Sequence, residues 1–144
     1  MTKKTAWTIL LIACFLAILI LYTNGIPGLT SNQAAVQQDL FAAAEKAQTL
    51  WARPALMDGA GRDFSIFDEA ELLSRLQIGS GSSNESGNDR ELVNKNGTYS
   101  VEIHSESSIS IRGVPAGRGE EMVLTLNRNG NNDGWELYLN GELE

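Results

Sequence analysis

The side chains that commonly act as nucleophiles, bases or metal ligands are sparse in this sequence. His104 is the single histidine and Cys14 the single cysteine, and Cys14 lies within an apolar run. Because His104 falls on the polar side of an alternating segment, a surface position is expected, and no Ser/His/Asp set can be assembled around it. The adjacent acids Glu120 and Glu121 would point to opposite faces of a strand and be solvated. We therefore predict a protein that is not an enzyme, with no catalytic residues and no cofactor.

Two glycine-containing stretches resemble ligand-binding loops. Gly59-x-Gly61 resembles part of a phosphate-binding loop, but no strand precedes it and no Lys-Ser/Thr follows, so a turn is preferred. The segment 129–134 places oxygen-bearing side chains at alternate positions, as in the first half of a calcium loop. Its twelfth position is Asn140 rather than a bidentate glutamate, and a hairpin turn explains the same residues. A membrane-tethered or secreted module that binds a small ligand or calcium remains the alternative function, and no metal-binding residue is assigned.

An apolar run near the N-terminus organises the rest of the chain. Ala6 to Tyr22 contains 17 residues without charge, proline or glycine. Such a run spans about 25 Å as a helix, close to the hydrocarbon thickness of a bilayer. Lys3 and Lys4 precede it and the next basic residue is Lys46, which places the N-terminus in the cytoplasm. We predict a single-pass protein of the cell membrane, anchored through residues 6–22, with an extracytoplasmic C-terminal domain.

Three other interpretations of this run compete with an anchor. A cleaved secretory signal has an apolar core of about 7–15 residues that ends at a small-residue site, whereas here the small residues Ala34 and Ala35 lie well beyond the run. Leu11 to Cys14 resembles a lipobox whose cysteine would be lipidated, although the sequence stays apolar up to Tyr22. A buried core helix would need a larger and less polar domain around it.

The rest of the chain has the size and charge of one acidic domain. The formal net charge is −7, from 11 basic and 18 acidic residues, and without Lys3 and Lys4 the nine remaining basic residues leave −9. Such a surface disfavours nucleic acid as a partner. We divide the chain into an anchor with a Gly/Pro hinge at 1–28 and an extracytoplasmic domain at 29–144, in which 79–97 is a flexible linker.

The period of the apolar residues changes along this domain. From Gln33 to Ala52 they recur every three to four positions, which predicts an amphipathic helix that ends before Pro54. Asp68 and Glu71 predict the N-cap of a second helix over 69–76. From Thr98 the period is two, which predicts four strands, at about 99–104, 108–112, 122–127 and 135–140. The predicted fold is therefore α+β: an N-terminal transmembrane helix, then an amphipathic helix packed on a four-stranded antiparallel meander.

The loop between the two predicted helices carries three apolar residues that we expect to pack against the core. They are Phe64, Ile66 and Phe67.

Several short motifs resemble those of small pilin-like proteins of bacteria. They are Gln37-Gln38-Asp39-Leu40 with Ala43, Ala44 and Ala47, Trp51-Ala-Arg53-Pro54, Met57-x-Gly59-x-Gly61-x-x-Phe64, and Asn96-Gly97-Thr98-Tyr99. The order of predicted elements is similar to that of type IV pilins and pseudopilins. The resemblance implies a structural role, as a minor pilin or pseudopilin-like assembly component that forms homo- or hetero-oligomers through its N-terminal helix.

The N-terminus departs from the pilin pattern. A pilin precursor has a basic leader that ends in glycine and a glutamate five residues into the mature helix. Here no glycine lies between Met1 and Tyr22, and no acid precedes Asp39. Processing by a prepilin peptidase is therefore not expected.

Overall fold

The computed structural model describes residues 31–79, 90–128 and 134–144. All of these residues except Ser31 belong to one compact unit, Asn32–Glu144. Two helices, α1 (Ser31–Ala52) and α2 (Glu69–Leu76), flank two 3-10 turns, Ala55–Met57 and Phe64–Ile66. The strands are β1 (Leu92–Val93), β2 (Gly97–Ser105), β3 (Ser108–Pro115), β4 (Met122–Arg128), β5 (Trp135–Leu139) and β6 (Glu142–Leu143). They form one antiparallel sheet in sequential order.

The helix predicted over 33–52 is confirmed by α1, which packs one alanine-rich apolar face into the core. The buried residues of this face are Val36, Leu40, Ala43, Ala44, Ala47, Leu50 and Trp51. Its approach to the sheet is close, because a Cβ at Gly113 of β3 would lie 2.5 Å from Cγ1 of Val36. Pro54, which has no N–H to continue the helix, follows its end.

The sheet has one apolar face, which shares a single hydrophobic core with α1 and α2. Alternate residues of β2, β3 and β4 supply it, namely Tyr99, Val101, Ile109, Ile111, Met122, Leu124 and Leu126. The strand register places Val101, Ile111 and Leu124 side by side across this face. The apolar residues therefore recur at every second position because one side of the sheet is buried.

The second helix begins at its predicted N-cap. The carboxylate of Asp68 accepts a hydrogen bond from the amide of Glu71 at 2.7 Å. The Glu71 carboxylate itself contacts Arg75, at 3.0 Å. Leu72, Leu73 and Leu76 are buried, so the prediction of a helix over 69–76 is confirmed.

The predicted fold is wrong in two respects. The sheet has six strands rather than four, since β1 and β6 extend the meander at its two edges. Each has two residues, too few to show a period in the sequence. In addition, of the helices within residues 31–79, 90–128 and 134–144, neither is long and apolar enough to cross a membrane.

The prediction of a single-pass protein of the cell membrane is not supported by the helices that the structure describes. The part of the chain that the structure describes contains no membrane-spanning helix. The run Ala6–Tyr22 on which that prediction rested, together with Cys14 and the Gly/Pro hinge, lies outside the described residues.

The segment 79–97, predicted as a linker, contains ordered structure at its C-terminal end. Leu92 and Val93 form β1, and Leu92 is buried in the core. Residues 80–89 of the segment lie outside the described residues.

Candidate interaction surface

The loop at residues 53–67, here the 53–67 loop, is built around the C-terminal end of α1. The last carbonyl groups of a helix have no partner within the helix. Amides of the loop supply two of those partners, from Ala60 to Leu50 at 2.9 Å and from Arg62 to Trp51 at 2.8 Å, and the Gly61 amide donates to Arg53, just after the helix, at 2.8 Å. The loop is therefore held to the helix end at Ala60 to Arg62.

The two glycines of the loop are required by its packing. A Cβ at Gly59 would lie 2.2 Å from the carbonyl oxygen of Arg53, and Gly61 has a φ of +61°. The Gly59 amide donates to Pro54 at 3.1 Å, and the Gly61 amide donates to Arg53. Because both amides are used inside the loop, they are not directed at a phosphate, and the interpretation of this motif as a turn fits the geometry.

The base of the loop is fixed to the turn between β2 and β3. The carbonyl oxygen of Glu106 accepts two hydrogen bonds, from the Phe64 amide at 2.8 Å and from Nε1 of Trp51 at 2.9 Å. The Trp51 ring meets Trp135 edge to face at 5.2 Å, and the Arg128 guanidinium lies 4.7 Å from the Trp51 ring centre. Phe64 is fully buried beside them. This aromatic cluster joins the loop to β4 and β5.

A single arginine ties the loop to α2. Arg75 contacts the carboxylates of Asp58 at 2.9 Å and Glu71 at 3.0 Å. Its guanidinium also lies 4.8 Å from the ring centre of Phe67. Because Asp58 and Phe67 belong to the loop and Arg75 to α2, these contacts join the loop to the second helix.

The outer side of this fixed loop exposes large apolar side chains. Leu56 is fully exposed, Met57 is 68% exposed and Ile66 is 52% exposed. The prediction that Ile66 packs against the core is therefore wrong, whereas Phe64 and Phe67 are buried as predicted. Isolated exposed apolar residues are common, but a loop fixed on three sides that presents three of them is typical of a contact surface. We call Leu56 and Met57 the apolar tip.

A polar network on the other face of the sheet includes the only histidine. Nε2 of His104 lies 2.7 Å from Oγ of Ser110, which lies 2.8 Å from Oγ1 of Thr125. Nδ1 of His104 lies 3.9 Å from the carboxylate of Glu102. The sequence places His104 on the polar face correctly, but it misses the contact with Ser110, which depends on strand register and on a β-bulge at His104.

The geometry of this network favours a structural role. Ser110 is only 8% exposed, and its hydroxyl is engaged by both His104 and Thr125. The Glu102 carboxylate lies beyond hydrogen-bond distance from the imidazole, so it does not orient the ring as the acid of a catalytic triad does. We interpret the network as a set of contacts that joins β2, β3 and β4.

A second polar cluster ties the turn between β1 and β2 to α1. The Asp39 carboxylate accepts hydrogen bonds from the side-chain amides of Asn94 at 3.1 Å and Asn96 at 2.9 Å. The Asn94 side chain in turn accepts from the amides of Asn96 and Gly97, at 2.8 and 3.1 Å. Partial burial raises the pKa of Asp39, but these hydrogen bonds, one from Tyr99 and the nearby Lys95 charge outweigh it, so the pKa lies below its ordinary value.

The remaining candidate ligands take part in other contacts. Glu121 pairs with Arg112 at 3.4 Å. Asn140, at the position of a calcium loop's last ligand, has a φ of +52° and accepts a hydrogen bond from the Val123 amide at 2.9 Å. Residues 129–133 lie outside the described residues. Among the residues described, no three His, Cys, Asp or Glu side chains converge on a metal position.

The fold and this surface define an α+β domain with an exposed, apolar loop tip. No family model matches the chain, and no curated protein or solved structure matches it either.

Proposed function

We propose that this chain is a non-enzymatic structural protein whose α+β domain joins an assembly by docking the 53–67 loop on another protein. The observation that carries the proposal is the exposure of Leu56 and Met57 on a loop fixed to α1, α2 and the sheet. Full burial of such a side chain contributes about 1.5–3 kcal/mol. Because the loop is already ordered, little conformational entropy is lost on binding.

The resemblance to pilin-like proteins supports the same role. Its motifs include the residues that build the loop. Pro54 follows the end of α1, Gly59 and Gly61 allow the close turn, and Phe64 anchors its base. The membership of the chain in a pilin-like family stays a prediction.

Site-specific photo-crosslinking in the native cells tests the proposal. A photoreactive residue is placed at Leu56, and in a matched control at Glu45, which is exposed on the outer side of α1. We expect a discrete protein adduct from position 56 and none from position 45. The proposal fails if position 56 gives no adduct, or the same pattern of adducts as position 45. The mass of the adduct identifies the partner.

A further inference from the structure

The two methionines that the structure describes occupy opposite environments. The sequence has three methionines, of which Met1 lies outside the described residues. Met57, in the apolar tip, is 68% exposed, whereas Met122, at the start of β4, is 3% exposed and belongs to the hydrophobic core. A thioether reacts with a dissolved oxidant only where its sulfur can be reached. Of the two, Met57 is therefore the one that an oxidant in solution meets.

The side chain of Met57 takes no part in holding the loop. The turn that carries it is closed by backbone bonds, from the Met57 amide to Pro54 at 2.9 Å and from the Asp58 amide to Ala55 at 3.1 Å. The Asp58 carboxylate is held by Arg75 at 2.9 Å. Met57 is also not among the residues that form the hydrophobic core. A change in the polarity of its side chain therefore alters the surface of the tip and leaves the contacts of the loop in place.

Met122 is protected by the fold. It lies opposite Gly113 in the register of β3 and β4, on the apolar face of the sheet with Leu124. A polar oxygen on this sulfur would lie in the apolar core, which is unfavourable without a hydrogen-bond donor. The sulfur becomes accessible only when the strands of the core open, which is rare in a folded domain. Met122 is therefore an internal control for Met57 in the same chain.

Oxidation of a thioether by hydrogen peroxide is a balanced two-electron step. The O–O bond of the peroxide breaks as an S–O bond forms, so that the sulfur is oxidised to the sulfoxide and the peroxide is reduced to water. The product carries a polar oxygen that accepts hydrogen bonds, in place of an apolar sulfur. Burial of that oxygen against an apolar surface that offers no donor is unfavourable. A protein surface that binds the thioether should therefore bind the sulfoxide poorly.

We propose that Met57 is an oxidation site, and that its conversion to the sulfoxide by hydrogen peroxide prevents the docking of the 53–67 loop. The reduced side chain forms the apolar tip together with Leu56, and the oxidised side chain leaves Leu56 as the one apolar member of the tip. This inference rests on the proposed docking function and adds its regulation. Methionine sulfoxide is reduced enzymatically to the thioether, so the loss of docking is reversible.

The chemical selectivity is measured on the full chain in solution. The chain is treated with hydrogen peroxide, and peptide mass spectrometry follows sulfoxide formation at Met57 and Met122 separately. Sulfoxide should form at Met57 at least about ten times faster than at Met122, which reacts only through opening of the core. The midpoint of thermal unfolding should not change while Met57 alone is oxidised. Equal oxidation rates at the two residues, or a lowered midpoint at that stage, would overturn the inference.

The effect on docking is measured by photo-crosslinking from position 56 in the native cells, with and without hydrogen peroxide. Three chains are compared: the wild type, Met57→Leu, which stays apolar and has no sulfur to oxidise, and Met57→Gln, which has a polar side chain without treatment. In untreated cells the wild type and Met57→Leu should give the same amount of adduct, and Met57→Gln several-fold less. After treatment the wild type should lose its adduct and Met57→Leu should keep it.

The comparison with Met57→Leu assigns the loss to one sulfur atom, because the partner protein meets the same peroxide in both cells. The inference is overturned if the wild type keeps its adduct while its peptide shows the sulfoxide at Met57. It also fails if Met57→Leu loses its adduct to the same extent or gives none before treatment, or if Met57→Gln gives as much as the wild type. In each of these cases the adduct of the untreated wild type leaves the proposed function standing. Absence of that adduct would overturn both.

Discussion

The carboxylate of Asp39 on α1 accepts a hydrogen bond from the hydroxyl of Tyr99 on β2, at 2.5 Å. Tyr99 is fully buried in the apolar core and Asp39 is half-buried, so this bond joins the helix to the sheet at the margin of the core. Burial and the adjacent Asp39 charge both raise the pKa of Tyr99, which keeps the hydroxyl protonated as the donor. The motif Asn96-Gly97-Thr98-Tyr99 is thus explained by helix–sheet packing.

Replacement of Asp39 by asparagine should make stability less dependent on pH. The pKa of Asp39 is lower in the folded state, so its contribution is present above the unfolded value of about 4 and is lost as pH falls through the folded value. We expect Asp39→Asn to lower the free energy of unfolding at pH 7 by about 1–3 kcal/mol, with a smaller difference at pH 2.5. Urea denaturation across this range measures it.

The exposed acid Glu45 on the same helix is the control for that experiment. Glu45→Gln should leave both the stability and its pH profile close to wild type. A deficit of Asp39→Asn that is equally large at pH 7 and pH 2.5 would contradict the assignment of the pH dependence to this carboxylate.

The contact between Gly113 and Val36 should show coupling in a double-mutant cycle. Gly113→Ala places a Cβ 2.5 Å from Val36 Cγ1, so the helix must shift or the side chain must move. We expect a loss of about 1–3 kcal/mol from overpacking. Val36→Ala removes the clashing methyl group but leaves a cavity of its own. The double variant should therefore be more stable than the sum of the two single losses predicts, as measured by thermal and urea unfolding. Strict additivity would show that the close contact is absent.

Gly59 should be the glycine of the 53–67 loop least tolerant of a side chain. A Cβ there would lie 2.2 Å from a backbone oxygen, which has little freedom to move. We expect Gly59→Ala to cost more than about 2 kcal/mol. Gly134 has no atom within 4 Å of its Cβ position, so Gly134→Ala should change stability by less than about 0.5 kcal/mol. Equal effects of the two substitutions would mean that the loop is not closely packed at Gly59.

Local sequence patterns predict the elements of this fold but not the contacts between them. Both helices and four of the six strands follow from periodicity and from the Asp68 cap, which are properties of neighbouring residues. The Asp39–Tyr99 bond joins residues 60 positions apart, and the His104–Ser110 contact depends on a bulge. Neither leaves a periodic signal, since both are set by register and by helix placement. Ile66 is exposed rather than buried, because hydrophobicity alone does not show which side of a 3-10 turn faces outwards.

Trp51 should support the 53–67 loop through both its ring and its N–H. Trp51→Phe keeps much of the aromatic contact with Trp135 but removes the donor to Glu106. The Glu106 carbonyl still accepts from the Phe64 amide, so this acceptor keeps one of its two partners. We expect the lost hydrogen bond to contribute about 0.5–1.5 kcal/mol. The cavity left by Trp51→Ala should cost about 3–5 kcal/mol.

Hydrogen exchange at the Phe64 amide separates a local effect from a global one. Trp51→Phe should accelerate exchange there more than in strands β3 and β4, because the Glu106 carbonyl that accepts from the Phe64 amide loses its bond to Trp51 on α1. A uniform acceleration across the domain would show that Trp51 acts only as a core residue. An unchanged exchange rate at Phe64 would show that the indole N–H of Trp51 does not hold the loop. The fixed loop geometry on which the docking proposal depends would then lose that support.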